Sequence, residues 1–268
     1  KSEVPGPDSD VVAYSARLGY ETKRWSNVAG YIKVGSDFDP QMGFLNRTGG
    51  YRYYEAGVMW KQRFPSIPWL KEWIPHVNYR GYYRLNGFWQ EGRLHLDLTE
   101  FDLANGGRFG PEVNVEHQGL EQPFAISPGV ILPVGEYDYT SLGFDLASNP
   151  SAPFWLTLRA DVGGFYDGTR RGGVVSVGAR RGAFFNSAPT VEYNDVRLEA
   201  GDFIRTLANA RIAFFFTPRV MFQTLVQYSN QAQVWTANAR FSWLSTAGNG
   251  LFIVLNEGHA ADGFFQLN

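Results

Sequence analysis

The chain has 268 residues, a formal net charge of −2 and no cysteine. The charge balance argues against a general nucleic-acid binder, whose affinity comes from a surplus of Lys and Arg, and the absence of cysteine excludes thiolate metal sites and disulfide staples. Aromatic residues make up 16% of the chain and glycine 30 positions, yet the mean hydropathy is −0.26 and no run of about 18 apolar residues exists to form a membrane-spanning helix.

Much aromatic surface without long apolar runs means that apolar residues are spread one position in two, as in strands whose faces meet different surroundings. The polar opening "KSEVPGPDSD" holds no signal-peptide pattern. From there the period-two alternation that marks strands recurs. "VAYSARLGYE" sets Tyr14, Ala16, Leu18 and Tyr20 against Ser15, Arg17 and Glu21. "YYEAGVMWK" sets Tyr54, Ala56, Val58 and Trp60 against Glu55, Gly57 and Lys61. "FPSIPWLKEWIP" (64–75) is an apolar insertion whose prolines limit any helix to a turn or two. "RLHLDLT" alternates Leu94, Leu96 and Leu98 with Arg93, His95, Asp97 and Thr99.

The second half repeats the pattern. Phe154, Leu156, Leu158, Ala160 and Val162 oppose Trp155, Thr157, Arg159 and Asp161. Ala208, Ala210, Ile212, Phe214 and Phe216 oppose Arg205, Leu207, Asn209, Arg211 and Ala213. Val220, Phe222, Thr224, Val226 and Tyr228 oppose Met221, Gln223, Leu225 and Gln227; Trp235, Ala237, Ala239, Phe241 and Trp243 oppose Thr236, Asn238, Arg240 and Ser242. About fourteen such segments have roughly the 9–11 residues that a tilted strand needs to cross a bilayer. Short turns ("TKR", "ANGG", "NPSAP", "TPR", "STAGNG") and two longer connections (36–50 and 119–135) separate them.

A soluble sandwich or barrel also alternates, but packs its apolar face with large side chains. Here small and aliphatic residues occupy mid-strand, and aromatics crowd the strand ends: Tyr20, Trp60, Phe154, Phe216, Tyr228, Trp235 and Trp243. Aromatic girdles around a small or aliphatic band belong to the lipid-facing surface of an outer-membrane barrel. The expected fold is therefore all-β: a transmembrane antiparallel β-barrel, a meander forming one domain over 1–268, in the bacterial outer membrane and against lipid and lipopolysaccharide. With the two long connections outside, both chain ends fall outside as well, so the chain is expected to lack upstream strands and a final C-terminal strand of a larger barrel, the alternative being a self-contained barrel of fourteen strands.

Several stretches together carry a family resemblance. "VGSDFDPQMGFLNR" (34–47), "QPFAISPGVILPVGEYDYTSLGF" (122–144), "GGFYDGTRRG" (163–172), "YNDVRL" with "GDF" (193–203) and "FIVLNEGH" (252–259) resemble, in order and spacing, the C-terminal region of a family of uncharacterised bacterial envelope proteins. Its members carry an N-terminal family-9-type carbohydrate-binding module ahead of a large barrel. The resemblance covers most of residues 10–260. It implies an outer-membrane barrel with further strands upstream and a terminal strand after the "NEG" segment. It gives no catalytic motif, and sugar binding maps to no residue of this chain.

The chemistry expected is sparse. His76, His95, His117 and His259 show no HxH or HExxH spacing and read as isolated residues of the interior or the loops, so no metal or cofactor is expected. No GxSxG elbow is present, and the chain is expected not to be an enzyme, an outer-membrane lipid hydrolase standing as an alternative. "SDFDPQMG" is too thinly acidic for a calcium loop and reads as an ordered external loop containing a helical turn, with Asp37 or Asp39 as a cap. Arg159, Arg180, Arg205, Arg211 and Arg240 form a basic ladder on the polar face, with Asp145 and Asp161 as its acids. Two roles stay open: a path for anionic solutes, or cross-strand bracing against Asp145, Asp161 and Glu199, the default for buried arginines. The functional expectation is a porin-like or transporter-like barrel, linked to carbohydrate uptake through a module outside this chain. The alternative is an assembly subunit that holds other envelope proteins. The glycine- and arginine-rich stretch Asp161–Gly182 reads as one hairpin with an arginine pair at each end.

Overall fold

A computed structural model describes residues 10–40, 43–45, 47–245 and 248–260. It contains nineteen β-strands, and no helix occurs among the described residues. Nineteen exceeds the expected number of about fourteen because five strands of two to four residues lie in the connections, too short for alternation to mark them. The insertion at 64–75 is one such place. No helical turn forms there; β4 (Gln62–Arg63) pairs with β5 (Leu70–Trp73) as a small hairpin, and Trp73 Nε1 donates to Leu98 O at 2.8 Å. The connection at 119–135 holds a second hairpin, β10 (Phe124–Ser127) with β11 (Val130–Leu132), closed over a fully buried Leu132. In the connection at 36–50 no helical turn appears among the described residues. Asp37 acts there, but as an acceptor for the Asp10 amide (3.0 Å) and the Ser36 hydroxyl (2.8 Å) rather than as a helix cap. Gln41, Met42 and Asn46 of that connection, and Thr246 and Ala247 of "STAGNG", lie outside the described residues.

The chain divides into two units. The first takes in residues up to 102 with 110–142 and 163–167. Its frame is an antiparallel ladder of β1 (Ala13–Glu21), β2 (Trp25–Val34), β3 (Tyr51–Trp60), β6 (His76–Tyr83), β7 (Trp89–Asp97) and β9 (Arg108–Leu120), paired in that order. The second unit takes in 103–109, 143–162 and the chain from 168 onward. Its ladder runs β14 (Gly168–Arg181), β15 (Phe185–Leu198), β16 (Gly201–Thr217), β17 (Val220–Ser229), β18 (Val234–Leu244), β19 (Gly250–Ala260), each paired with the next. β8 (Phe101–Leu103) lies between β7 and β9, and β12 (Gly135–Ala147) and β13 (Phe154–Phe165) lie between β11 and β14. The short turns are set by local side-chain acceptors that replace missing ladder bonds. Thr22 Oγ1 accepts from the amides of Arg24 and Trp25, Asn105 Oδ1 from Gly107, Asn149 Oδ1 from Ser151, and Thr217 Oγ1 from Arg219 and Val220. The "YDGT" turn of the arginine-rich hairpin is two residues, Tyr166 and Asp167, with Tyr166 at φ 51°.

Neither unit holds a large apolar core. The buried apolar residues among those described are Val34, Leu70, Val130, Leu132, Val196, Leu198 and Ala213. The large apolar side chains lie outside instead: Leu18 is 77% exposed, Phe154 75%, Phe216 53% and Trp243 50%. β1 and β19 are exposed along their whole length.

One glycine shows how closely the polar side of the second unit is fitted. A Cβ on Gly178 would lie 1.8 Å from the Trp155 indole, a rigid ring with no flexible end to yield. Gly178→Ala is therefore expected to destabilise by about 1–3 kcal/mol, read as a lowered urea midpoint, whereas Gly19→Ala, where a Cβ meets nothing within 4 Å, should leave the midpoint unchanged. Equal midpoints for the two variants would contradict the packing described.

Candidate functional site

Because side chains alternate across a strand, residues paired in register share a face. In the first unit the register Arg17↔Gly30↔Glu55↔Arg80↔Arg93↔Glu116 draws one row of charge across six strands. Arg17 Nε donates to Glu55 Oε1 at 2.8 Å, reaching over β2. Gly30 is what permits this: a Cβ there would sit 2.5 Å from Glu55 Oε1. Arg93 lies 3.5 Å from Glu116 and donates to Asn114 Oδ1 through Nε (3.0 Å) and Nη2 (2.7 Å). This face lines a cleft of about 430 Å³ that includes Arg17, Tyr53, Glu55, Arg80, Arg93 and His95. At the loop end, Arg84 ties three connections together. It donates to Thr48 O (2.6 Å) and to Glu121 (2.7 Å), and that hydrogen bond, with a second from Gln90, holds the Glu121 carboxyl below the usual range.

The opposite face of the same ladder is apolar and edged with rings. Tyr14, Tyr31, Tyr54, Tyr83, Trp89 and His117 form a continuous row, with successive centroids 5.9, 5.0, 5.6, 5.8 and 3.8 Å apart. Each such ring pair contributes about 0.5–1.5 kcal/mol beyond its buried area. Six residues further along each strand, about 20 Å at the usual rise, stand Tyr20, Trp25 and Trp60, the tryptophans in edge contact at 4.5 Å with Arg24 over Trp60. Ala16, Leu18, Ala29, Ala56 and Val58 fill the band between.

The second unit has the same two-faced character. Its register places Arg180, Arg205, Arg211 and Arg240 on one face, with Ser176, Thr190, Asn194, Asn209, Gln223, Asn238 and Asn256. Arg159 bonds Asp145 through two contacts of 3.0 Å. Asp161 is taken by Arg170, at 2.8 Å, rather than by a member of the expected ladder. Arg180 reaches Pro150 O at 3.4 Å; Arg240 donates to Ser242 Oγ at 3.1 Å and lies over Phe252. Arg205 and Arg211 have no ion pair among the described residues, and Glu199 braces neither. On the other face, Val175, Val177, Val191, Ala208, Ala210, Val226, Ala237 and Ala239 form the middle. Tyr228 and Trp235 pair at 4.7 Å at one end; Phe185, Phe214, Phe216 and Trp243 gather at the other.

The histidines are not all isolated. His117 is buried against Trp89 and bonds Asp138 at 2.7 Å. His76 and His95 meet at 3.2 Å between their Nε2 atoms, with Asp97 close by. Their 19-residue separation matches no motif; they meet because β6 and β7 pair His76 with Asp97 and Asn78 with His95.

No family model matches the chain, and neither the curated proteins nor the solved structures contain a match.

If Gly30 sets the Arg17–Glu55 geometry, a double-mutant cycle on Arg17→Ala and Glu55→Ala should give a coupling of a few tenths to about 1 kcal/mol, and the coupling should vanish in a Gly30→Val background. Retention of the full coupling in that background would rule this role out.

Proposed function

We propose that the chain forms part of a bacterial outer-membrane β-barrel of porin-like or transporter-like character, and that it is not an enzyme. The observation that carries this reading is where the large apolar side chains lie. They are exposed, and along the middle of each ladder they gather on one face between aromatic rows, opposite Arg17, Glu55, Arg80 and Arg93 in the first unit and Arg205, Arg211 and Arg240 in the second, while Leu251–Leu255 of β19 are exposed on both faces. In water each exposed Val, Leu or Phe forgoes about 1.5–3 kcal/mol of burial; against acyl chains that penalty disappears. A closed β-barrel is also one of the two structures that can cross hydrocarbon with its backbone groups paired. Rings at the ends of an aliphatic band suit the headgroup level on both sides. Outer-membrane lipid and lipopolysaccharide are then the partners of the apolar face.

The polar face is read as the wall of a watery interior. Bracing accounts for Arg159 with Asp145 and Arg170 with Asp161. Arg205 and Arg211, without ion pairs among the described residues, are the charges offered to solutes, which favours anions. The resemblance to envelope proteins with a family-9-type carbohydrate-binding module supports a link to sugar capture outside this chain.

In planar bilayers the purified full-length protein should insert and conduct with a preference for anions. Arg205→Glu with Arg211→Glu should move the reversal potential toward cations, and the neutral pair Arg159→Gln with Asp145→Asn should leave it in place. Unchanged selectivity in the first variant rejects the conduction role; failure to partition into detergent or vesicles rejects the membrane reading itself.

A further inference from the structure

We propose that His76, His95 and Asp97 form a binding site for one divalent transition cation of the zinc class. The positions of the imidazole hydrogens point to it. His76 Nδ1 lies 3.1 Å from Ile74 O and 3.4 Å from Glu100 Oε2, both acceptors. His95 Nδ1 lies 2.8 Å from Asn114 Oδ1. That amide cannot be turned round: Arg93, which only donates, approaches the same oxygen at 3.0 and 2.7 Å, and Asn114 Nδ2 donates to Glu112 Oε1 at 3.0 Å. Both imidazoles therefore hold their hydrogen on Nδ1 and present a lone pair on Nε2. These two lone pairs face each other at 3.2 Å, a repulsive arrangement unless something positive lies between them.

A metal fits that requirement in distance and in chemistry. Two nitrogens on a tetrahedral zinc at about 2.0–2.1 Å are about 3.3 Å apart. A carboxylate oxygen of Asp97 lies within 4.8 Å of a ring nitrogen of each histidine, and Asp97 is 6% exposed. Two imidazoles and one carboxylate make a ligand set that leaves a fourth position open. The outer partners are those of such sites, with each ligating histidine donating its other N–H to a carbonyl or amide oxygen held in place by further bonds. The site joins the first residue of β6 to the last residue of β7, and its metal would clamp this end of the ladder.

The direct test is titration of the full chain with zinc alone after chelator treatment. Saturable binding of one equivalent is expected, lowered at least 100-fold by His76→Ala or His95→Ala and 10–100-fold by Asn114→Leu, a change outside the ligand set. Loading with cadmium-113 requires no variant: coupling of the metal to Nε2 of two histidines is expected. Absence of saturable zinc binding, or affinity unchanged in the double variant His76→Ala with His95→Ala, would overturn the proposal. So would a nitrogen spectrum in which one imidazole of the pair keeps hydrogens on both nitrogens in the presence of excess zinc, because a shared proton then fills the gap.

Discussion

The register of the antiparallel ladders is the constraint on which the other features depend. Side chains alternate with period two, so a slip of one residue between neighbouring strands exchanges the whole of one face for the other. In the observed register Arg205, Arg211 and Arg240 fall together, and Ala208, Ala237, Ala239 and Trp243 fall opposite. A slip of β16 alone would carry both Arg205 and Arg211 onto the face with Trp235. The short turns fix the register: Thr217, Asn149 and Thr22 each supply the acceptor that closes the chain after a set number of residues.

With the register fixed, the distribution of side chains is inverted. The backbone is satisfied by ladder bonds, but the large side chains that would form a core in a water-soluble domain are exposed. Stability then comes from within the sheet and its surroundings. Along the row from Tyr14 to His117, each ring touches the next across a strand pair, so contacts made sideways along the sheet replace those that a second layer would supply. On the polar face, glycines let long side chains lie across a neighbouring strand. Gly30 beneath the Arg17–Glu55 pair and Gly178 beneath Trp155 are two instances of the same device.

The features that could be read from the sequence are those that depend on nearest neighbours along one strand. Alternation in "ARIAFFF" or "VWTANARFSWL" needs no knowledge of the partner strand, so the two faces of each were accessible. The features that could not be read depend on two or three strands at once. Arg17, Gly30 and Glu55 are far apart in sequence and meet only through the pairings of β1, β2 and β3. His76 and His95 look solitary until β6 and β7 are aligned. The expected pairing of Asp161 with the arginine ladder failed for the same reason, because Arg170 on β14 stands nearer. Short hairpins such as β4 with β5 leave no mark in the sequence because two to four residues carry no periodicity.

The central claim is that the apolar faces meet lipid and the polar faces meet water. The cysteine-free chain allows single cysteines to be placed at Val177, Ala208 and Ala237 on one face and at Ser176, Asn209 and Asn238 on the other. With nitroxide labels in lipid vesicles, paramagnetic accessibility measures each site against oxygen, which concentrates in hydrocarbon, and against a water-soluble nickel chelate. The account predicts that the first three sites are open to oxygen and closed to nickel and that the second three are the reverse. Nickel access at Val177, Ala208 and Ala237 equal to that at their polar neighbours would contradict it.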